Sequence, residues 1–340
     1  MKNKKKTMFI LVTILVVTLL GIGIAFFIKN TLNNDLESED KTGEKREDDK
    51  EKESPPEKES TGKPLLYKVT KDGNDNELYL FGSIHVADDR AYPMDDVIMD
   101  AYKKSEALVV EFDLVAYSKN INVQMEDVKL MLCDPGKTIK DYIQPEVYDK
   151  LIKYMKDNKI YSKAYEMYKP AFFYSLLTNV TVEKSGLDAN KGIDMYFLTQ
   201  AHKDKKEIIE LETSTFQTQT LLGLSDDLYS FMINEIVTDD SIEVKNLKKM
   251  YEAWLEGNIE ELLAIEEESE EVPEDLLDDF AEYNKLLESS RNVGMLDKVK
   301  QRFENGENIF VVVGAAHIVG DEGLAKSFKD AGYKVEKVDY

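Results

Sequence analysis

The sequence predicts an α/β domain: a central sheet with Gly-x-x-His turns at strand ends and a long helical insertion, preceded by one transmembrane helix. Three observations carry this. Short β-branched, apolar runs alternate with segments of helical spacing at both ends of the folded region, the pattern of strands exchanged for helices in an α/β core. Two of those runs end in Gly-x-x-His. Residues 8–28 form a stretch of 21 residues without a charge.

That first stretch follows Lys2, Lys4, Lys5 and Lys6 and is closed by Lys29. As a helix it would span roughly 30 Å, the hydrocarbon thickness of a bilayer. The lysines ahead of it favour the cytoplasm, which places the rest of the chain outside the cell, in a single-pass protein of the cell membrane. A cleaved signal peptide is the rival reading. The run is longer than a usual signal core, no small-x-small cleavage site stands out, and no Cys follows to carry a lipid. Residues 1–29 are therefore read as an anchor. Residues 30–63, with 12 acidic and 7 basic side chains and almost no apolar ones, are read as a disordered stalk, because such a segment cannot bury enough surface to offset chain entropy. Residues 64–340 are read as one folded domain.

Predicted strands fall at 64–69, 78–81, 107–112, 207–211, 309–313 and 335–338. The fifth is a nearly continuous Val-rich run, as expected of a strand buried on both faces. Helical spacing marks 93–105, 145–158, 170–182, 192–201, 242–255 and 323–331, and the region between Glu111 and Gly314 is mostly helical. Trp254 lies on an apolar stripe and reads as core, and Gly257 fits a helix stop. The acidic run 267–271 reads as a solvated helix end.

Charge excludes some partners. The net charge is −23, and the five lysines of the anchor offset the excess acid of the stalk, so the domain carries about all of it. Such a surface repels nucleic acid and anionic headgroups. The single cysteine, Cys133, excludes an internal disulfide and a cysteine zinc cluster, and reads as a packed residue rather than a nucleophile. No phosphate loop, dinucleotide fingerprint, Gly-x-Ser-x-Gly elbow or His-Glu-x-x-His is present.

Chemistry concentrates at strand ends. The run 78–81 enters Gly82-Ser83-Ile84-His85, and 309–313 enters Gly314-Ala315-Ala316-His317. Glycine there permits a sharp turn or a close approach. The other strands run into Glu111 and Asp113, and into Glu210 and Glu212. Sites in open α/β sheets form at the carboxyl ends of strands. If the strands are neighbours, two imidazoles and one or two carboxylates share a cleft, a usual shell for a catalytic divalent metal with a position open for water. The third histidine, His202, sits in a polar helix end and reads as exposed.

These motifs resemble the TraB/GumN/Tiki family. The resemblance runs from about residue 65 to 340 in ordered blocks: Gly82-Ser83-Ile84-His85-Val86 with Tyr92-Pro93, Val110-Glu111-Phe112-Asp113, Lys169-Pro170, Gly192-Ile193-Asp194, Leu211-Glu212-Thr213 with Gln217, Arg291-Asn292-x-x-Met295, the stretch from Val313 to Gly320, and Gly332-Tyr333-Lys334-Val335. It implies a metal-dependent, peptidase-like site with His85, His317 and Glu111 as metal ligands and Glu111, Arg291 and Glu212 as catalytic residues, Asp194 ranking behind Glu212. The implied cofactor is a divalent ion (Mn²⁺, Co²⁺ or Zn²⁺), and the implied partner is an extracellular peptide or protein. A surface protein that captures a peptide without cutting it is the alternative. Two departures stand out. Ser83 replaces a commoner Thr, and Ser289-Ser290 precede Arg291 where relatives often carry an acid, so its own segment offers Arg291 no such partner.

Overall fold

In the computed structural model, residues 62–267 and 272–340 are described. The predicted anchor, nearly all of the stalk and most of the acidic run 267–271 lie outside them. Among the described residues, no helix is long and apolar enough to cross a membrane. The described chain starts on Gly62, buried against Leu255, and Lys63 donates its backbone N–H to the Leu255 carbonyl at 2.6 Å.

The architecture is mixed α/β. Six strands form one sheet: β1 (Leu66–Lys71), β2 (Asn74–Ser83), β3 (Ala107–Val110), β4 (Glu207–Glu210), β5 (Ile309–Gly314) and β6 (Lys334–Lys337), in the order β4-β3-β5-β2-β1-β6. All six predicted strands are present. The second is longer than its apolar run, because β1 and β2 form an antiparallel hairpin that extends pairing from Leu66 opposite Phe81 to Lys71 opposite Asn74. Between Glu111 and the start of β5 the regular elements are helical apart from β4, which runs parallel to β3.

β2, β5, β3 and β4 are mutually parallel neighbours. β5 is buried along its whole length, as its Val-rich run predicts. Phe81, Phe197 and Phe310 cluster with ring centroids 5.1–5.8 Å apart, joining the sheet to the helix Ile193–Asp204. The helix Asp240–Leu255 ends just before Gly257, which has a positive φ of 60°. Its Trp254 is 1% exposed, and the indole Nε1 donates to the Gly82 carbonyl at 2.8 Å.

Trp254 thus both fills core volume and satisfies a backbone acceptor on the strand that leads to His85. Trp254→Phe keeps most of the apolar contact but orphans that carbonyl. A buried acceptor without a partner costs about 1–3 kcal/mol. Chemical denaturation followed by circular dichroism is expected to show a loss of that size, and a loss below about 0.5 kcal/mol would contradict the role assigned to the bond.

Candidate functional site at the carboxyl edge of the sheet

Because the four strands are parallel and adjacent, their carboxyl ends emerge on one edge. β2 ends at Ser83, beside Gly314 of β5, and Val110 of β3 stands opposite both Val312 of β5 and Glu210 of β4. His85 follows β2, Glu111 follows β3, Glu212 follows β4, and His317 lies in the short helix Ala315–Ile318 after β5. The five predicted site residues are therefore brought to one place, Arg291 reaching it from the helix Ser290–Glu304.

Neither motif glycine has a positive φ, so neither is required by an unusual backbone angle, and of the two only Gly82 is tight for space. A Cβ on Gly82 would stand 3.2 Å from Ala315 of the other motif. A Cβ on Gly314 would project at the centre, 3.5 Å from Glu111 Oε1 and 3.9 Å from His85 Nε2. The Gly314 N–H donates to Glu111 Oε1 at 3.0 Å, so the second motif holds the carboxylate as well as supplying a histidine.

Both imidazoles are held from behind. His85 Nδ1 lies 2.6 Å from Asp194 Oδ2, and Ser83 Oγ donates to the other oxygen, Oδ1, at 2.7 Å. A carboxylate only accepts, so Nδ1 carries the proton. His317 Nδ1 lies 2.6 Å from Asn292 Oδ1, while Asn292 Nδ2 donates to the Glu322 carbonyl at 2.9 Å. That second bond fixes which way the amide faces, so His317 Nδ1 also donates. The backing differs in charge. Burial alone would lower the pKa of His85, but the Asp194 carboxylate and its hydrogen bond raise it above the ordinary histidine value. Burial, reinforced by the Arg291 guanidinium, brings His317 down to about 3, leaving it neutral with its Nε2 lone pair free.

Glu111 is held ionised against its burial. The Arg291 guanidinium, the histidines and the Gly314 N–H bring its pKa well below the usual carboxylate range. Arg291 Nη2 donates to Glu111 Oε2 at 2.6 Å and to Glu212 Oε2 at 2.7 Å, and its Nε reaches Glu212 Oε1 at 2.8 Å. Gln217 Nε2 bridges the two carboxylates at 2.9 Å each. The remaining nitrogen, Nη1, donates to the Leu287 carbonyl at 3.1 Å. The guanidinium is thus committed within the protein, and its immediate role is to brace two carboxylates rather than to present an open fork.

Two imidazoles and a carboxylate are donor types that a divalent ion takes. Both Nδ1 atoms are spent on acceptors, the arrangement that orients metal-bound histidines. His317 Nε2 stands 3.9 Å from Glu111 Oε1. Two ligands ~2.1 Å from one ion lie at most about 4.2 Å apart, so this pair falls inside the span. Among the described residues, no group of three His, Cys, Asp or Glu side chains is placed to hold a metal ion. His85, His317 and Glu111 are the side chains an ion at this centre would draw on, and as placed they do not form such a group.

Elsewhere, His202 is exposed as expected and pairs with Asp113 at 2.7 Å, outside the site. Cys133 is half-buried, and burial pushes its thiol up to about 11, which suits a packed residue. Asp194 does sit in the first turn of its helix, yet it touches His85, whereas Glu212 touches Arg291 and Gln217. Asn292, Gln217 and Ser83 belong to the constellation although sequence reasoning gave them no role in it. The signal for Asn292 was its place beside Arg291 in a family block.

This is an α/β domain with a buried His-Glu-Arg site at the carboxyl edge of its sheet. The chain belongs to the TraB/PrgY/gumN family, whose model matches residues 65–337. It is similar to the uncharacterized protein YbaP of Escherichia coli (strain K12), 24% identical over 264 residues that cover 77% of this chain and 90% of YbaP. The YbaP of Shigella flexneri matches with the same identity and coverage. No solved structure matches.

Proposed function

We propose that the domain is a metal-dependent hydrolase that cleaves a peptide bond in an extracellular peptide or protein, held at the cell surface through the uncharged run of residues 8–28. One observation carries the reading: two buried imidazoles, each with Nδ1 tied to an acceptor, share one centre with the ionised carboxylate of Glu111, from which His317 Nε2 stands 3.9 Å. A divalent ion bound there, Mn²⁺, Co²⁺ or Zn²⁺, supplies Lewis acidity and a water acidified toward neutral pH.

The chain's own groups have separable tasks. Asp194 and Asn292 orient the histidines. Arg291 and Gln217 keep Glu111 ionised and pointed at Gly314, which leaves one lone pair of Oε1 for an ion or for a proton. Glu212 shares the guanidinium and so keeps it from neutralising Glu111 alone. His85, Glu111 and His317 are each at most 3% exposed, so the centre is shielded from bulk solvent. That burial also favours the second reading, capture of a peptide without cleavage, in which the centre is a structural polar cluster.

Elemental analysis of the full chain, wild type beside His85→Ala/His317→Ala, separates the two. Near-stoichiometric metal that is lost in the variant, together with metal-dependent cleavage in a peptide screen, is the expected result. Absence of metal after incubation with Mn²⁺, Co²⁺ and Zn²⁺ would overturn the hydrolase, and peptide recovered intact from a stoichiometric complex would establish capture.

A further inference from the structure

A groove of about 460 Å³ opens on the outer side of the Arg291–Glu212 pair. Neither histidine nor Glu111 lines it, so it is distinct from the reacting centre. Its floor is Arg291 and Glu212. Its walls come from Phe216 on the helix Ser214–Leu222 and from Gly294, Met295 and Lys298 on the helix Ser290–Glu304. Along its rim runs the segment Glu210-Leu211-Glu212, the continuation of β4.

Three features define an occupant. First, β4 is the end strand of the sheet and pairs only with β3 among the described residues, so one edge is open to an added strand. Second, Phe216 is 46% exposed on the groove wall and Val293, next to Gly294, is 65% exposed, apolar surface that no described residue covers. At Gly294 the absence of a side chain leaves the wall open: a Cβ there would meet nothing within 4 Å. Third, the domain carries about the whole net charge of −23, and Glu207 and Glu210 are exposed on the edge strand, Glu207 facing Arg302 at 3.5 Å and Glu210 accepting from the Asp113 N–H, while the Lys298 ammonium at the groove is turned onto the Leu211 carbonyl.

We infer that this groove and the open edge of β4 form the recognition site for an extended, cationic peptide segment that seats one large apolar side chain against Phe216. The inference rests on the peptide-substrate reading above and deepens it. The peptide backbone adds to β4, its basic residues lie along the acidic edge, and the apolar residue fills the groove. The groove floor is the ion pair that braces Glu111, so the seated residue flanks the reacting atoms without touching them. The volume suits a single side chain of Leu or Phe size with its flanking backbone, and not a folded domain.

Binding is measured by fluorescence polarisation on the full, metal-free chain. The probe is a fluorescein-labelled heptapeptide alternating Lys with Leu and a central Phe; the control replaces each Lys by Glu. The wild type is expected to bind the basic peptide at least about tenfold more tightly than the acidic one, and less tightly as salt rises. Gly294→Trp, which fills the groove, and Phe216→Ala, which removes its wall, are each expected to weaken binding roughly tenfold without a fall in the thermal midpoint. Equal affinity for both peptides, or unaltered binding in both variants, overturns the inference. The readout needs neither metal nor turnover. A groove-dependent peptide complex in a chain that takes up no metal would leave this inference standing while the hydrolase falls, and a metal-loaded chain indifferent to both variants would do the reverse.

Discussion

Arg291→Met is expected to lower stability by about 3–5 kcal/mol at pH 8, the cost of leaving buried charge without its partner. Arg291 is 3% exposed and is bonded to both Glu111 and Glu212. Methionine keeps much of the volume and removes the charge, leaving two buried carboxylates with Gln217 as their shared donor. Two carboxylates in one dry site cannot both remain ionised cheaply, so the pair takes up a proton. The sign of the pH dependence follows. In the wild type, Glu111 has a depressed pKa. It contributes stability above its unfolded value, near 4.3, and loses that contribution as pH falls through the folded value. In Arg291→Met the carboxyl pair has a raised pKa, so its penalty is present at high pH and shrinks as pH falls toward the unfolded value. The gap between wild type and variant, from chemical denaturation at pH 8 and pH 5, should narrow at pH 5. A gap that is constant with pH, or smaller than about 1 kcal/mol, would show that the guanidinium is not what holds Glu111 ionised.

The strands were legible in the sequence because a strand buried on both faces must be continuously apolar, and Ile309 to Val313 leaves little else to be. The convergence of His85 and His317 was legible too, since parallel neighbours put equivalent turns side by side. The reason for the glycines was only half legible. A sharp turn and a close approach both call for glycine, and at Gly82 the close approach decides, to Ala315, whereas an added Cβ at Gly314 would meet Glu111 at ordinary contact distance. The partners of Arg291 could not be read locally. Ser289-Ser290 replace the acid expected beside it, and its carboxylates arrive from positions 180 and 79 residues away in the chain. Asp194 shows the same limit. Its place in a helix's first turn is a local fact, but its bond to His85 spans 109 residues and depends on how that helix lies across the end of β2. Asn292 acts only because its helix crosses the carboxyl end of β5, a tertiary fact with no periodicity to announce it.

How that helix lies across β2 yields the second large prediction. Gly192 caps the helix Ile193–Asp204 with an ordinary backbone conformation, φ −56° and ψ 146°. A substitution there is not strained by its angles. It is blocked by the loop after β2: an added Cβ would lie 2.4 Å from the His85 carbonyl oxygen and 2.8 Å from its carbon. Both are backbone atoms and cannot rotate away. The same approach is tied by the Ile193 N–H to the Ile84 carbonyl at 2.9 Å and by the Ala87–Asp188 bridge. Gly192→Ala must therefore push the helix start, and Asp194 with it, away from His85, lengthening the 2.6 Å contact that orients the ring. Overpacking of this kind costs about 1–3 kcal/mol, and loss of an orienting partner about 10–100-fold in metal affinity. Gly294→Ala is the matched control, because it lies in a helix with open space at its Cβ position. There the same change should stabilise by about 0.5–1 kcal/mol through reduced chain entropy. Thermal unfolding and Zn²⁺ titration of both variants check the pair. Opposite signs of stability change, with zinc affinity reduced only in Gly192→Ala, are expected. Two alanines that behave alike would mean that the contact between residue 192 and His85 does not position the histidine.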